Sequence, residues 1–429
     1  MRILVLSWEA WRGDSNGGNV LSNIFDGIDA EYAQVYCSSE CPNNKICQLY
    51  YQMTDFSVIK NIFTGSPVGR IVTGNCTKAT NINSNEKEGH FYSFFKRHRL
   101  NIFYSIQGIL WNISKWKCHE LDDFVLDFHP DIIFAPCYSK SFMLKLTRYI
   151  KELTGKSVIS YISDDGYTLK QFNLSPFFWI NRFSVRKQMR KTFQCYDLVY
   201  TMIDDQKKQC EKDFRANMKL LRKSNSFLLK PRTDVNKPIK FVYAGGLYLN
   251  RWKVLAALAR EINTINQQYG TVFSLDIYTN SEITKLIKKK FAYEYITLHS
   301  AINQIELRNV YSESDVALHV ESFDLKNRLL VRMSFSTKIV DCLSSGCAVM
   351  AICDSKQGGY LYLKDNDAAI CIDKIDKIRN YLWMISEHPN MILDYANKAS
   401  QCCLCNHDKT KTKNMIELDF YQWSNITNE

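Results

Sequence analysis

Apolar residues in this chain fall in short, nearly unbroken runs separated by longer amphipathic stretches. In the first half the runs are Ile3–Ser7, Asp131–Ala135, Ser157–Ile162 and Leu198–Thr201. In the second half they are Lys240–Tyr243, Phe273–Tyr278, Tyr295–His299, Val316–Val320, Ala348–Ile352 and Ala369–Ile372. Helical periodicity lies between them, at Val254–Gln267, Ser281–Lys290, Ile302–Ser312 and Thr337–Ser344. Apolar strands alternating with helices predict parallel sheets covered on both faces. The stretch Leu221–Pro238, with Pro231, Pro238 and several charges, interrupts the alternation, which restarts at Phe241. The expected class is therefore α/β, with two doubly wound, Rossmann-like domains facing a central cleft. Their bounds are residues 1–225 and 239–405, with a linker at 226–238. Residues 406–429 form a C-terminal helix that packs back on the first domain. Ligands of such sheets sit in the crevice at the carboxyl ends of the strands. No internal repeat and no low-complexity tract is present.

Length and composition agree with this division. The 429 residues suit two domains of about 200 residues each. Apolar residues make up 46% and charged residues 23%, enough for two cores. Lys and Arg outnumber Asp and Glu by 55 to 44, which admits a phosphate-bearing substrate or an anionic membrane surface. The opening MRILVLSWEAW is a buried strand rather than a signal peptide, and no run approaches 18 apolar residues. A cytoplasmic protein is expected, with peripheral contact at the inner face of the cell membrane as its one membrane option. Fifteen cysteines then imply a reducing compartment. Cys402, Cys403, Cys405 and His407 crowd one helix, where thiols splay around the axis, so they are expected to be free rather than metal-bound.

The candidate chemistry follows the strands of the second half. In FVYAGGLYLNRWKVL, Gly245 and Gly246 let backbone approach a ligand closely, and Arg251 and Lys253 stand at the start of the next helix, where an anion is favoured. In HVESFDLKNRLLVRMSFSTKIVDCLSSGCAVMAI, Glu321 directly follows a strand. Ser336, Thr337 and Lys338 then open a helix as a phosphate cradle. Asp341, three residues after Lys338, is placed to accept from a ribose diol.

These segments resemble the donor domain of GT-B glycosyltransferases, in particular the large retaining family 4 and its relatives in surface-polysaccharide assembly. The likeness rests on AGG-x4-R-x-K, on E-S-F after a strand, and on SFSTKIVDCLSSGCAVMAI, where Asp341 lies five positions before Gly346. It covers residues 238–400. The chain departs from the family's two glutamates with seven residues between them, having Glu321 and Asp341 with nineteen between. The resemblance implies that Glu321 contacts the donor sugar, Lys338 and Arg251 the diphosphate, and Asp341 the ribose. It further implies a retaining transfer from a nucleotide sugar to a saccharide acceptor, free or lipid-linked, with no metal and no cofactor.

The first half is less specific. Gly17 and Gly18 are expected in the loop after the first strand, near donor phosphates and acceptor. Asp164 and Asp165 follow the strand Ser157–Ile162 and could supply a general base, bind acceptor hydroxyls or cap the next helix. The segment 90–117 interleaves Phe91, Tyr92, Phe94, Phe95, Phe103, Tyr104, Trp111 and Trp116 with five Lys and Arg residues. That composition suits an anionic bilayer, or a helix buried on one face. No reading motif for nucleic acid accompanies the charge. Asp365-Asn366-Asp367 is read as a turn rather than a metal triplet. A nucleotide-sugar epimerase of the same fold and a non-catalytic nucleotide-sugar binder are the alternatives to glycosyl transfer.

Overall fold

The computed structural model describes residues 1–13, 16–73 and 101–425. The chain forms two compact units. The first comprises Met1–Leu169, Asn173–Leu221 and Thr410–Glu429; the second comprises Lys170–Phe172 and Arg222–Lys409.

The first unit is built on an eight-stranded sheet. Its strands are β1 (Arg2–Ser7), β2 (Glu31–Tyr36), β3 (Leu49–Gln52), β4 (Arg70–Thr73), β5 (Ile132–Phe134), β6 (Val158–Ile162), β7 (Leu198–Thr201) and β8 (Met218–Leu220). Their order is β4-β3-β2-β1-β5-β6-β7-β8, parallel except for β4 against β3. Ile3 pairs with Tyr32 on one side and with Ile132 on the other. The sequence pattern misses β2, β3, β4 and β8. In β2 and β3 the cause is visible: EYAQVY and LYYQ carry Gln and Tyr where an apolar run would be expected. Gln34 is nevertheless fully buried. Its amide nitrogen donates to Ser7 Oγ at 2.6 Å, and its amide oxygen accepts from Trp11 N at 3.1 Å. A polar side chain satisfied inside the sheet is compatible with a core but does not look like one in sequence. The helix Lys409–Asn425 is anchored in this unit by Phe420, edge-to-face with Phe25, and by Asp419, which accepts from Tyr200 Oη at 2.7 Å.

The second unit carries a six-stranded, all-parallel sheet. Its strands are β9 (Ile239–Ala244), β10 (Phe273–Thr279), β11 (Ile296–Ser300), β12 (Val316–Val320), β13 (Ala348–Ile352) and β14 (Ile370–Ile372). The order is β11-β10-β9-β12-β13-β14. Chain direction across the sheet thus reverses between β9 and β12, where Val316 pairs with Phe241. That reversal is the topological switch point, and the crevice above it is open because the connecting helices leave to opposite faces. The stretch after Leu221 is strapped to this unit. Leu229 N donates to Ser344 O and Arg232 N to Gly346 O, each at 2.9 Å. Gly346 has φ +76°, and a Cβ there would collide with the Lys230 carbonyl oxygen, so only glycine allows the strap to lie down.

One expectation changes. Gly17 and Gly18 lie in the first turn of the helix Asn16–Phe25, not in a loop. Trp111 and Trp116 are buried, Trp111 stacked on Phe142 at 4.2 Å with its Nε1–H donating to Asp55 at 2.7 Å, so these aromatics face the core. The rest of the basic–aromatic segment up to residue 100 lies outside the described residues. No described helix is long and apolar enough to cross a membrane.

Candidate functional site

Four side chains converge where β9 and β12 end. Alternation along β12 puts Val316, Leu318 and Val320 into the main core of the unit, and it puts Ala317, His319 and Glu321 on the other face. Glu321, one residue past the strand, has its N–H held by Ile352 O at 3.2 Å. From the other side of the switch point, β9 runs into Gly245-Gly246 and then Tyr248, Leu249 and Asn250. Leu249 and Asn250 have φ of +56° and +61°. Two successive left-handed residues turn the chain sharply, at a cost of about 1–2 kcal/mol each for non-glycine. The turn delivers Arg251 as the first residue of the helix Arg251–Tyr269.

Arg251 and Glu321 form a bidentate pair, with Nε to Oε2 at 2.9 Å and Nη2 to Oε1 at 2.7 Å. They are 8% and 3% exposed. Burial works against the guanidinium charge, but the carboxylate more than offsets it, and the arginine pKa moves upward. The left-handed turn has its own brace. Asp324 accepts from Asn250 Nδ2 at 3.1 Å, from Asn327 N at 3.1 Å and from Asn327 Nδ2 at 2.8 Å, besides Ser322 Oγ. Partial burial would raise its pKa, yet these donors hold the carboxyl below the usual range.

Lys338 completes the cluster from the start of the short helix Lys338–Leu343. Its ammonium packs over Gly245, where a Cβ would collide with Nζ and stand 2.9 Å from Cε. It also lies 5.6 Å from the centre of the Tyr243 ring. Among the described residues it has no hydrogen-bond or ion-pair partner. Burial, and next the Arg251 charge, push its pKa down to about 8 against the opposing pull of Glu321. Beneath it, His319 is 3% exposed, and its Nε2 has no hydrogen-bond partner among the described residues. Burial, Arg251 and Lys338 lower its pKa to about 3, so the imidazole is neutral. Two cations thus face one carboxylate that only one of them contacts. The excess positive charge and the free donors suit an anion, and a glycine floor admits it closely.

The overall fold can now be matched to known structures. No family model matches the chain, and no curated protein matches its sequence. Solved structures do. A sucrose-phosphate synthase from Thermosynechococcus elongatus is 10% identical, with 98% of each chain covered and a TM-score of 0.62. Anabaena HepE in complex with UDP and glucose is 12% identical, covering 98% of this chain and 100% of its own, at 0.61. An α,α-trehalose-phosphate synthase (UDP-forming) from Burkholderia vietnamiensis is 11% identical, at 98%, 100% and 0.59.

The fold is that of the GT-B glycosyltransferases.

Within this GT-B chain the residues singled out from sequence separate. Gly245, Arg251, Glu321 and Lys338 come together as described. Gly246 lies beside them, its carbonyl accepting from Tyr243 Oη at 2.8 Å. Lys253 is exposed on the helix, its Nζ 5.7 Å from its neighbour Trp252's ring, apart from the cluster. Asp341 is paired with Lys223 Nζ at 2.8 Å. Ser336 and Thr337 precede the helix, but neither hydroxyl caps it: Thr337 is the cap residue and makes no side-chain bond there. Sequence reasoning misses His319, Asp324 and Asn250; a histidine inside an apolar run and an Asn–Asp pair 74 residues apart carry no local signal.

In the first unit the two acidic candidates are told apart. Asp165 is buried, accepts from Tyr167 N at 3.1 Å and Thr168 N at 2.8 Å, and pairs with Arg182 at 3.2 Å. Asp164 is exposed. Past the strand ends near the β1–β5 switch point stand different groups. Lys140 Nζ lies 3.9 Å from the Trp8 ring centre, and Asp55 is held by Trp111 and by Gln107 at 2.8 Å. Burial lowers the Lys140 pKa to about 8 although Asp55 opposes it, and burial raises that of Asp55. His407 is buried between Tyr362 Oη and Lys223 O, each at 2.8 Å, as part of the second unit's packing. Asp367 ends the turn after the helix Gly358–Asp365, at φ +47°, and pairs with Lys398 at 2.9 Å.

Proposed function

We propose that the chain is a glycosyltransferase that moves a sugar from a nucleotide-sugar donor to a saccharide acceptor, free or lipid-linked, in surface-polysaccharide assembly. One observation carries this: the Lys338 ammonium over Gly245, with no hydrogen-bond or ion-pair partner among the described residues, beside the Arg251–Glu321 pair at the switch point of the second sheet. In this reading Lys338 receives the donor's diphosphate, and Arg251 adds the donors that Glu321 leaves unused. Glu321 fixes the guanidinium in place, since both its oxygens are bound to Arg251. Departure of the diphosphate is then favoured by fixed positive charge, with no divalent metal required. The similar structures, whose names include UDP and sugar phosphates, support the choice of donor class. Retention of configuration and binding of the ribose by Asp341, after exchange of its Lys223 contact, complete the reading. So does a cytoplasmic, membrane-peripheral location.

A thermal-shift screen against UDP-, GDP- and dTDP-sugars, with and without EDTA, tests it. A donor at about 100 times its Kd stabilises the protein by about 2.7 kcal/mol, and this should survive EDTA. If no nucleotide sugar raises the melting temperature, the donor site is wrong; if EDTA abolishes transfer, metal independence is wrong. Donor binding without transfer to any saccharide would favour the binding-protein alternative.

A further inference from the structure

The strongest unassigned feature is a pair of adjacent helices in the first unit, Asn101–Ile113 and Pro176–Thr192. They pack on each other and on the helix Ser141–Thr154, burying Trp111 from one and Val185, Met189 and Thr192 from the other. Their outward stripes are not polar. Ile106, Ile109 and Ile113 on the first, and Phe177, Ile180 and Phe183 on the second, are between 41% and 63% exposed. The spacing of three or four residues places each set along one face. Ser105 Oγ donates to Phe177 O at 3.4 Å, so the two apolar stripes begin side by side. Six large hydrophobic side chains on one face exceed what scattered surface residues explain.

Cations take over where the apolar stripes end. Lys187, Arg190 and Lys191 continue the stripe of the second helix, and Lys115 and Lys117 follow the first; all five are exposed. The two sets are neighbours: burial, and then the charges of Arg148, Lys117 and Lys191, lower the pKa of Lys145 between them. Neither helix contains an Asp or a Glu. Apolar side chains beside a band of five cations, in which Asp213 is the acidic neighbour of Arg190, are complementary to acyl chains beneath anionic headgroups. A symmetric contact with a second copy would instead bring these cationic bands near each other.

We propose that this two-helix face is a docking surface for an anionic lipid bilayer. It relocates membrane contact from the buried Trp111 and Trp116 to the exposed isoleucines and phenylalanines. The proposal stands on the first unit alone and is independent of the donor site in the second.

Flotation of the full chain with vesicles tests it, comparing phosphatidylcholine alone with about three parts in ten phosphatidylglycerol. Binding is expected to the anionic vesicles only, weakening at about 1 M salt, where the Debye length is about 3 Å. Ile180→Ser with Phe183→Ser should reduce partitioning by about tenfold or more. Lys187→Glu with Arg190→Glu should abolish the dependence on anionic lipid, and Leu418→Ser with Tyr421→Ser, exposed elsewhere, should change nothing. Donor-induced thermal stabilisation, unaltered in every variant, reports folding and keeps this test separate from that of the donor site. Absence of wild-type binding at low salt overturns the proposal. Equal binding by the face variants and the wild type also overturns it, as does a dimer in solution that the face variants dissociate without any lipid binding.

Discussion

The two switch points of this chain carry the same topology and opposite chemistry. In the second unit, Arg251 and Glu321 are locked together beside Lys338, which has no ion-pair partner among the described residues, and positive charge is left over above a glycine floor. In the first unit, Lys140 lies on an indole and the nearby Asp55 is held by an indole N–H and an amide. The acidic residue after β6 that is buried, Asp165, is already paired with Arg182. One crevice is charged and under-satisfied; the other is aromatic-walled and largely self-satisfied. A shared strand order around the switch point therefore does not imply identical ligands. What a doubly wound sheet supplies is a place, and the side chains past its strands decide which ligand chemistry fits there.

Removing Glu321 is the harshest test of this contrast. Glu321→Ala leaves Arg251 buried and unpaired, and urea denaturation should show a loss of about 3–5 kcal/mol. A loss below about 1 kcal/mol would mean that the pair is not what organises the second crevice. The counterpart in the first unit is a split between neighbours. Asp165→Ala should cost about 3 kcal/mol or more, because Arg182 loses its partner. Asp164→Ala should stay within about 0.5 kcal/mol and affect turnover alone. Equal stability losses for the two would erase the distinction drawn between them.

Lys338 sharpens the comparison through binding. Lys338→Ala should weaken a nucleoside diphosphate about 10- to 100-fold, the worth of a charged hydrogen bond, as read by calorimetry. With its pKa lowered to about 8, Lys338 is mostly charged at pH 7 and mostly neutral at pH 9, so wild-type affinity should fall across that range. The sign for stability is the reverse. Between its folded pKa and the higher unfolded value, the unfolded chain binds the extra proton. This group's penalty is therefore present below pH 8 and relieved as the pH rises beyond it. A pH-independent affinity, or one equally pH-dependent in Lys338→Ala, would remove Lys338 from the site. The smallest effect is expected at the brace: Asp324→Ala loses a helix cap and the Asn250 contact, for about 1 kcal/mol in thermal melts.

Much of the second unit is legible in the amino-acid pattern, for a physical reason. Fully buried parallel strands such as Val316–Val320 and Ala348–Ile352 must be apolar throughout, and residues just past their ends are free to be chemical. Gly245, Arg251, Glu321 and Lys338 are found by that rule. The first unit hides better because β2 and β3 bury Gln34, Tyr50 and Tyr51, which are polar in sequence and satisfied in space. Asp164 and Asp165 look equivalent in sequence because adjacent residues share every local property.

The alternation, the six strands of the second sheet and the loops that bear the chemistry follow from local periodicity and chain connectivity, whereas the first sheet is legible only in β1, β5, β6 and β7. How the loops are used is a tertiary matter. Folding joins Arg251 to Glu321 across 70 residues and leaves Lys338 over Gly245 with no hydrogen-bond or ion-pair partner among the described residues. It gives Asp341 to Lys223, and it turns Trp111 inward while leaving Ile180 and Phe183 in water. Pairing, burial and exposure depend on which distant segments meet, and no pattern confined to a few turns or strands contains that information.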